Sequence, residues 1–131
     1  MSVKRVLLVD DEPDAVEFLQ DLLEDNGFEV CTADTAEMGL RQVREQRPDL
    51  ICLDVLMPEE SGISLYQKIR TDPDLGQIPV LFISGLSLSR ELSQIHYLEL
   101  PDGTRLPEPD GVVDKPVEIG LFMKMVEQVL G

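Results

Sequence analysis

Asp49-Leu50-Ile51-Cys52-Leu53-Asp54-Val55-Leu56-Met57-Pro58 is the stretch on which the fold turns. Its apolar run is short, aliphatic throughout and closed by a proline, the pattern of a strand buried on both faces. Such a strand belongs in a parallel sheet between layers of helices, where it delivers one carboxylate, Asp54, to the carboxyl edge. That edge is where open α/β sheets bind ligands. The groups that the rest of the chain brings there therefore decide the function, and Asp10-Asp11, Ser84 and Lys115 are the candidates.

Before this stretch, Val3 to Val9 reads as a first strand that stops at Asp10-Asp11-Glu12-Pro13. A helix follows, with Asp11 or Glu12 near its cap, Pro13 in its first turn, and Ala15, Phe18, Leu19, Leu22 and Leu23 at helical spacing. Asn26-Gly27 ends it, Phe28 to Ala33 forms a second strand, and Thr35 caps a helix that turns Ala36, Gly39, Leu40 and Val43 inward and closes before Pro48. After the central strand, Ile63, Tyr66 and Ile69 mark a third helix ending at Thr71-Asp72-Pro73. Ile78 to Ser84 is a fourth strand with Pro79 near its start, where a missing donor does least harm. Leu88 to about His96 carries a short helical stripe, Gly111 to Asp114 a brief fifth strand, and Val117 to Leu130 a final helix packed through Ile119, Phe122, Met123, Val126 and Leu130.

This alternation predicts an α/β fold with a parallel sheet covered on both faces by right-handed crossovers. With 131 residues, no internal repeat and no linker, a single domain over 1–131 is expected. The irregular insertion is residues 97–110, where a Pro101-Asp102-Gly103 turn between alternating flanks fits either a small β-hairpin or an irregular loop.

Twenty-six acidic residues against eleven basic ones leave a net charge of -15, which repels nucleic acid phosphates and anionic membranes alike. Cys31 and Cys52 lie in strand-like runs without metal spacing, and read as buried free thiols of a reducing compartment. His96 is the single histidine, which excludes a multi-histidine metal site. No segment resembles a signal peptide or reaches membrane-spanning length, so a cytoplasmic protein is expected.

Taken singly, an Asp-Asp before a helix is a cap, a Ser after a strand is turn chemistry, and a Lys-Pro is a solvated loop. Their arrival at one sheet edge changes the reading. Converging carboxylates repel one another and call for a cation. Mg²⁺ suits them because it takes a few carboxylate or carbonyl oxygens and leaves room for a phosphate oxygen. Asp11, Asp54 and the backbone carbonyl of Leu56 are the expected direct ligands, with Asp10 acting through water. A lysine and a hydroxyl opposite them would neutralise and hydrogen-bond a phosphoryl group.

Val6-Leu7-Leu8-Val9-Asp10-Asp11-Glu12, Leu53-Asp54 followed by Met57-Pro58 and Gly62, Ile78-Pro79-Val80 ending at Ser84-Gly85, and Asp114-Lys115-Pro116 together resemble the receiver domain of two-component response regulators. The resemblance spans essentially the whole chain. It implies a flavodoxin-like, doubly wound five-stranded sheet in the order 2-1-3-4-5, the order that the chemotaxis receiver exemplifies. It further implies that Asp54 accepts a phosphoryl group from a histidine kinase or phosphotransfer protein, that Asp10, Asp11 and Asp54 hold Mg²⁺, that Ser84 is the switch hydroxyl, and that Lys115 contacts the phosphoryl group through a chain with a cis bond to Pro116. Such a protein is a signalling phosphoacceptor and no enzyme in the ordinary sense, and it changes the surface that it offers to a downstream partner.

The pattern breaks in three places. Three positions before the lysine, where the family commonly has an aromatic residue, stands Val112. The Ser84 to Lys115 segment is longer than usual, and the excess falls where receivers dimerise or signal, the face of the fourth expected helix, fifth strand and final helix. Leu121 and Met125, off the main apolar stripe of the final helix, read either as ordinary isolated surface residues or as part of such a homodimer contact. Leu56 and Leu86 are apolar where relatives carry polar groups near the path of hydrolytic water, which predicts a long-lived acyl phosphate. Two rival readings remain. One is a degenerate receiver acting as a constitutive interaction module. The other, a haloacid-dehalogenase-like phosphohydrolase, would want a second acid at Leu56.

Overall fold

The aliphatic runs form the strands that their composition requires, in a computed structural model that describes residues 3–55, 62–85 and 98–131. They are β1 (Arg5–Val9), β2 (Glu29–Ala33), β3 (Leu50–Asp54), β4 (Val80–Gly85) and β5 (Gly111–Lys115). All neighbours pair in parallel, in the order β2-β1-β3-β4-β5. The helices between and after them are α1 (Pro13–Asp25), α2 (Ala36–Gln46), α3 (Gly62–Thr71) and α4 (Ile119–Leu130).

Strand alternation sorts the core into two layers. Leu7, Val9, Ile51, Leu53 and Phe82 face α2 and α3, while Val6, Leu8, Leu50, Cys52, Leu81 and Ile83 face α1 and α4. Every residue of β3 is buried, as a central strand between two helical layers demands. Local chemistry sets the helix ends. Pro13 opens α1 after Glu12, the Thr35 hydroxyl accepts from Met38 N–H at 3.1 Å to cap α2, and Glu118 accepts from the amides of Gly120 and Leu121 to cap α4.

Four packing expectations need correction. Phe18 is 45% exposed, because α1 presents Leu19 and Leu23 with Val16 and Leu22 to the sheet and turns Phe18 aside. Ile119 is 48% exposed at the first turn of α4, whereas Met125 packs inward against Gly111, where an added Cβ would come 2.9 Å from Leu81 Cδ2. Cys31 is only partly buried because β2 is an edge strand, although both thiols are free. The expected helix from Leu88 to His96 lies outside the described residues, as do Leu56, Met57, Pro58 and Leu86.

The insertion resolves as a hairpin. Glu99 and Arg105 form an antiparallel bridge, Leu106 N–H donates to the Leu98 carbonyl at 2.6 Å, and Leu100 N–H donates to Thr104 at 2.8 Å. Gly103, at φ 89°, donates to the Leu100 carbonyl and supplies the left-handed turn residue. Leu98 and Leu106 are buried in the layer of α2 and α3, so the hairpin is part of the core.

Candidate functional site

Each candidate group sits where its strand ends. Asp10 follows β1, its N–H donating to the Ala33 carbonyl at 3.0 Å, and its Oδ1 accepts from Glu12 N–H at 3.0 Å. That turn places Asp11 and Glu12 side by side at the start of α1. Asp54 is the last residue of β3 and is 2% exposed. Gly62 lets α3 begin directly against it: a Cβ there would lie 2.8 Å from the Val55 Cα and closer still to the Asp54 carbonyl oxygen. Register pairs Asp54 with Ile83 and Ser84 with Asp114, bringing the ends of β3, β4 and β5 level. Lys115 closes β5 and is joined to Pro116 by a cis peptide bond, as the resemblance implies.

The side chains converge. Lys115 Nζ lies 3.3 Å from Asp10 Oδ2, 3.3 Å from Glu12 Oε1 and 3.6 Å from Asp54 Oδ2. Burial alone would pull its pKa down, but Asp54, Asp10 and Glu12 outweigh burial and hold the ammonium above its ordinary value. Asp10, Asp11, Glu12 and Asp54 each bring a carboxylate oxygen within 4.8 Å of the others. Ser84 is fully buried, and its Oγ has no hydrogen-bond partner among the described residues.

Among the described residues, four carboxylates, of which Asp10 and Asp54 are buried, face one ammonium and leave negative charge in excess, and an all-oxygen donor set fits a hard divalent cation better than a soft one. The hydroxyl without a partner fits an incoming oxygen acceptor, since buried polar groups are otherwise nearly always paired. Asp10, Asp11, Asp54, Ser84 and Lys115 thus share one edge; Leu56, whose carbonyl was expected to join them, lies outside the described residues. Glu12 was read only as a cap candidate, yet its carboxylate reaches the cluster. Its place directly after two aspartates at a strand end was the available signal.

The chain also resembles known proteins. A family model for the response regulator receiver domain matches residues 6–100. The chain is similar to the polar-differentiation response regulator DivK of Brucella anthropi, with 27% identity over 98% of this chain and 97% of the relative. Among solved structures it resembles the signal receiver domain of a signal transduction histidine kinase from Syntrophus aciditrophicus, with 29% identity, TM-score 0.82, and 98% and 90% of the two chains covered. It also resembles the chemotaxis response regulator CheY4 of Vibrio cholerae, with 25% identity, TM-score 0.81, and 98% and 99% covered. Among the described residues, no helix is long and apolar enough to cross a membrane.

Proposed function

The chain belongs to the response regulator receiver domain family, and from that membership we propose that it is a signalling switch thrown by phosphorylation of Asp54. The observation that carries the proposal is the meeting of buried Asp54 with Lys115 Nζ, 3.6 Å away, beside a buried Ser84 hydroxyl that lacks a partner among the described residues. Asp54 Oδ attacks the phosphorus of a phosphohistidine on a kinase or phosphotransfer protein; the new O–P bond forms as the P–N bond breaks and the imidazole leaves. Lys115 offsets the charge that the phosphoryl oxygens bring. Ser84 Oγ donates to one of those oxygens and satisfies its own hydrogen-bonding need. Asp10 is held at both oxygens, by Glu12 N–H and by Lys115, and so keeps the pocket's shape while its neighbours act. Asp11, Asp54 and Asp10, with the Leu56 carbonyl, would hold Mg²⁺, which when bound supplies positive charge to the transferred oxygens.

Residues 1–131 act in this reading as one domain, in the cytoplasm beside its kinase, with a downstream protein as the reader. The exposed Ile119 and Leu121 suit a homodimer contact on α4 and β5. Leu56 and Leu86 make the acyl phosphate long-lived; Leu56→Asn and Leu86→Glu are expected to speed its decay, and an unchanged rate in both variants rejects that part. Val112 and the hairpin favour one alternative, a constitutive interaction module. Incubation with acetyl phosphate and Mg²⁺ followed by intact mass separates the two. A switch gains one phosphoryl group that Asp54→Ala cannot take, whereas a constitutive module gains none.

A further inference from the structure

A second polar assembly lies behind the site, between α3, β4 and the hairpin. Tyr66 is fully buried, and its ring meets Phe82 edge-on, with centroids 4.9 Å apart and planes at 81°. Its hydroxyl donates to the Pro107 carbonyl and accepts from Arg70 Nε at 3.2 Å. The Arg70 side chain is 5% exposed, stacks 5.0 Å from the centroid of the Tyr66 ring, and donates to the carbonyls of Gly76 and Ile78 and to the Asp110 carboxylate. Asp110 in turn grips the start of β4: its carboxylate accepts from Val80 N–H at 2.9 Å, and its own N–H donates to the Val80 carbonyl at 2.8 Å. Burying a guanidinium is costly unless its donors are used, and here they tie Asp110 and the loop entering β4 to α3, while the Tyr66 hydroxyl holds Pro107.

Phe82 and Ser84 lie on the same face of β4, two positions apart. Ser84 has a buried hydroxyl without a partner among the described residues, so a phosphoryl oxygen at Asp54 gives the end of β4 a reason to move. Close-packed interiors pass such a displacement on, and among the described residues the Tyr66 ring is in edge-on contact with Phe82 and so receives it. We infer that Tyr66 is a latch between β4 and residues 98–110, through which the state of Asp54 reaches the hairpin. The inference rests on the phosphorylation reading above, and it supplies a route to the surface that does not use Val112.

Hydrogen exchange at the Leu106 and Asp110 amides, which donate to Leu98 and Val80, reads the latch directly. The wild-type protein is held in acetyl phosphate and Mg²⁺, with intact mass recording the phosphoryl group, and is compared with Tyr66→Phe, which keeps the ring and loses the hydroxyl. Exchange at both amides is expected to change on phosphorylation in the wild type, and that change is expected to vanish in a Tyr66→Phe protein phosphorylated to the same extent. An equal change in the variant, or none in phosphorylated wild type, overturns the latch. A wild type that takes no phosphoryl group overturns the functional reading itself, and the latch with it. Should Tyr66→Phe lose its fold, Phe82→Leu replaces it, with the same expected and contrary results.

Discussion

Ser84 separates a residue kept for the fold from one kept for a task. A buried hydroxyl without a partner costs about 1–3 kcal/mol, so Ser84→Ala is expected to leave stability unchanged or raise it in a chemical denaturation series. A loss above about 1 kcal/mol would mean that the hydroxyl is already bonded before phosphorylation. Cys52 makes the opposite case. Burial pushes its thiol up to about 12 from an ordinary 9.0. A pKa raised on folding contributes stability that is complete below the unfolded value and lost as pH climbs toward the folded one. Between pH 9.0 and about 12, stability should therefore fall by up to about 1.4 kcal/mol per pH unit from this group. Denaturation midpoints across that range test it, since Cys52→Val should lack this part of the slope. Asp10, Asp11, Asp54, Ser84 and Lys115 stood out only as a set, because each follows an apolar run while each alone has an ordinary reading as a cap, a turn or a solvated loop. Glu12 was read only as a cap, because an acid at a helix N-cap, even one directly after two aspartates, does not by itself say whether it points to solvent or back over the sheet edge.

At the scale of elements, the strands could be read because burial on both faces leaves a continuous aliphatic signature. Helix phase was less legible. α1 carries apolar residues at 15, 16, 18, 19, 22 and 23, a stripe wider than the face it buries, and only the sheet decides that Phe18 is left outside. The hairpin was legible as a turn but not as a core element. Its Pro101-Asp102-Gly103 chemistry is local, whereas the burial of Leu98 and Leu106 depends on α3 and Tyr66, far away in sequence. This burial also alters what a deletion means, since removing 98–106 takes two core leucines away with the surface. Leu106→Ala is expected to cost about 2–5 kcal/mol, as for other buried leucines. A cost within about 0.5 kcal/mol, the range of surface substitutions, would show that the hairpin is an appendage.

Across the whole molecule, charge links fold to function. A net charge of -15 is tolerable when spread over a surface, but four carboxylates within 4.8 Å of one another concentrate it at one edge. A divalent cation held there should stabilise the native state by mass action, by about 2.7 kcal/mol at a hundredfold excess over its dissociation constant. Thermal unfolding with and without Mg²⁺ tests this: the midpoint should rise in the wild type and stay flat in Asp11→Ala, and an equal rise in both would place the ion elsewhere. The sheet order is what brings the groups together. In β2-β1-β3-β4-β5, the strand that Asp10 follows and the strand that ends in Asp54 are neighbours, and those carrying Ser84 and Lys115 at their carboxyl ends come next to them. That adjacency was available from the family resemblance and not from spacing, because periodicity gives the elements and leaves their order open. The most direct measurement is peptide mapping of the protein after incubation with acetyl phosphate, with Mg²⁺ present or chelated. One phosphoryl group on the peptide that contains Asp54, formed only with Mg²⁺, is the predicted result; phosphate on another residue, or none at all, would contradict the account.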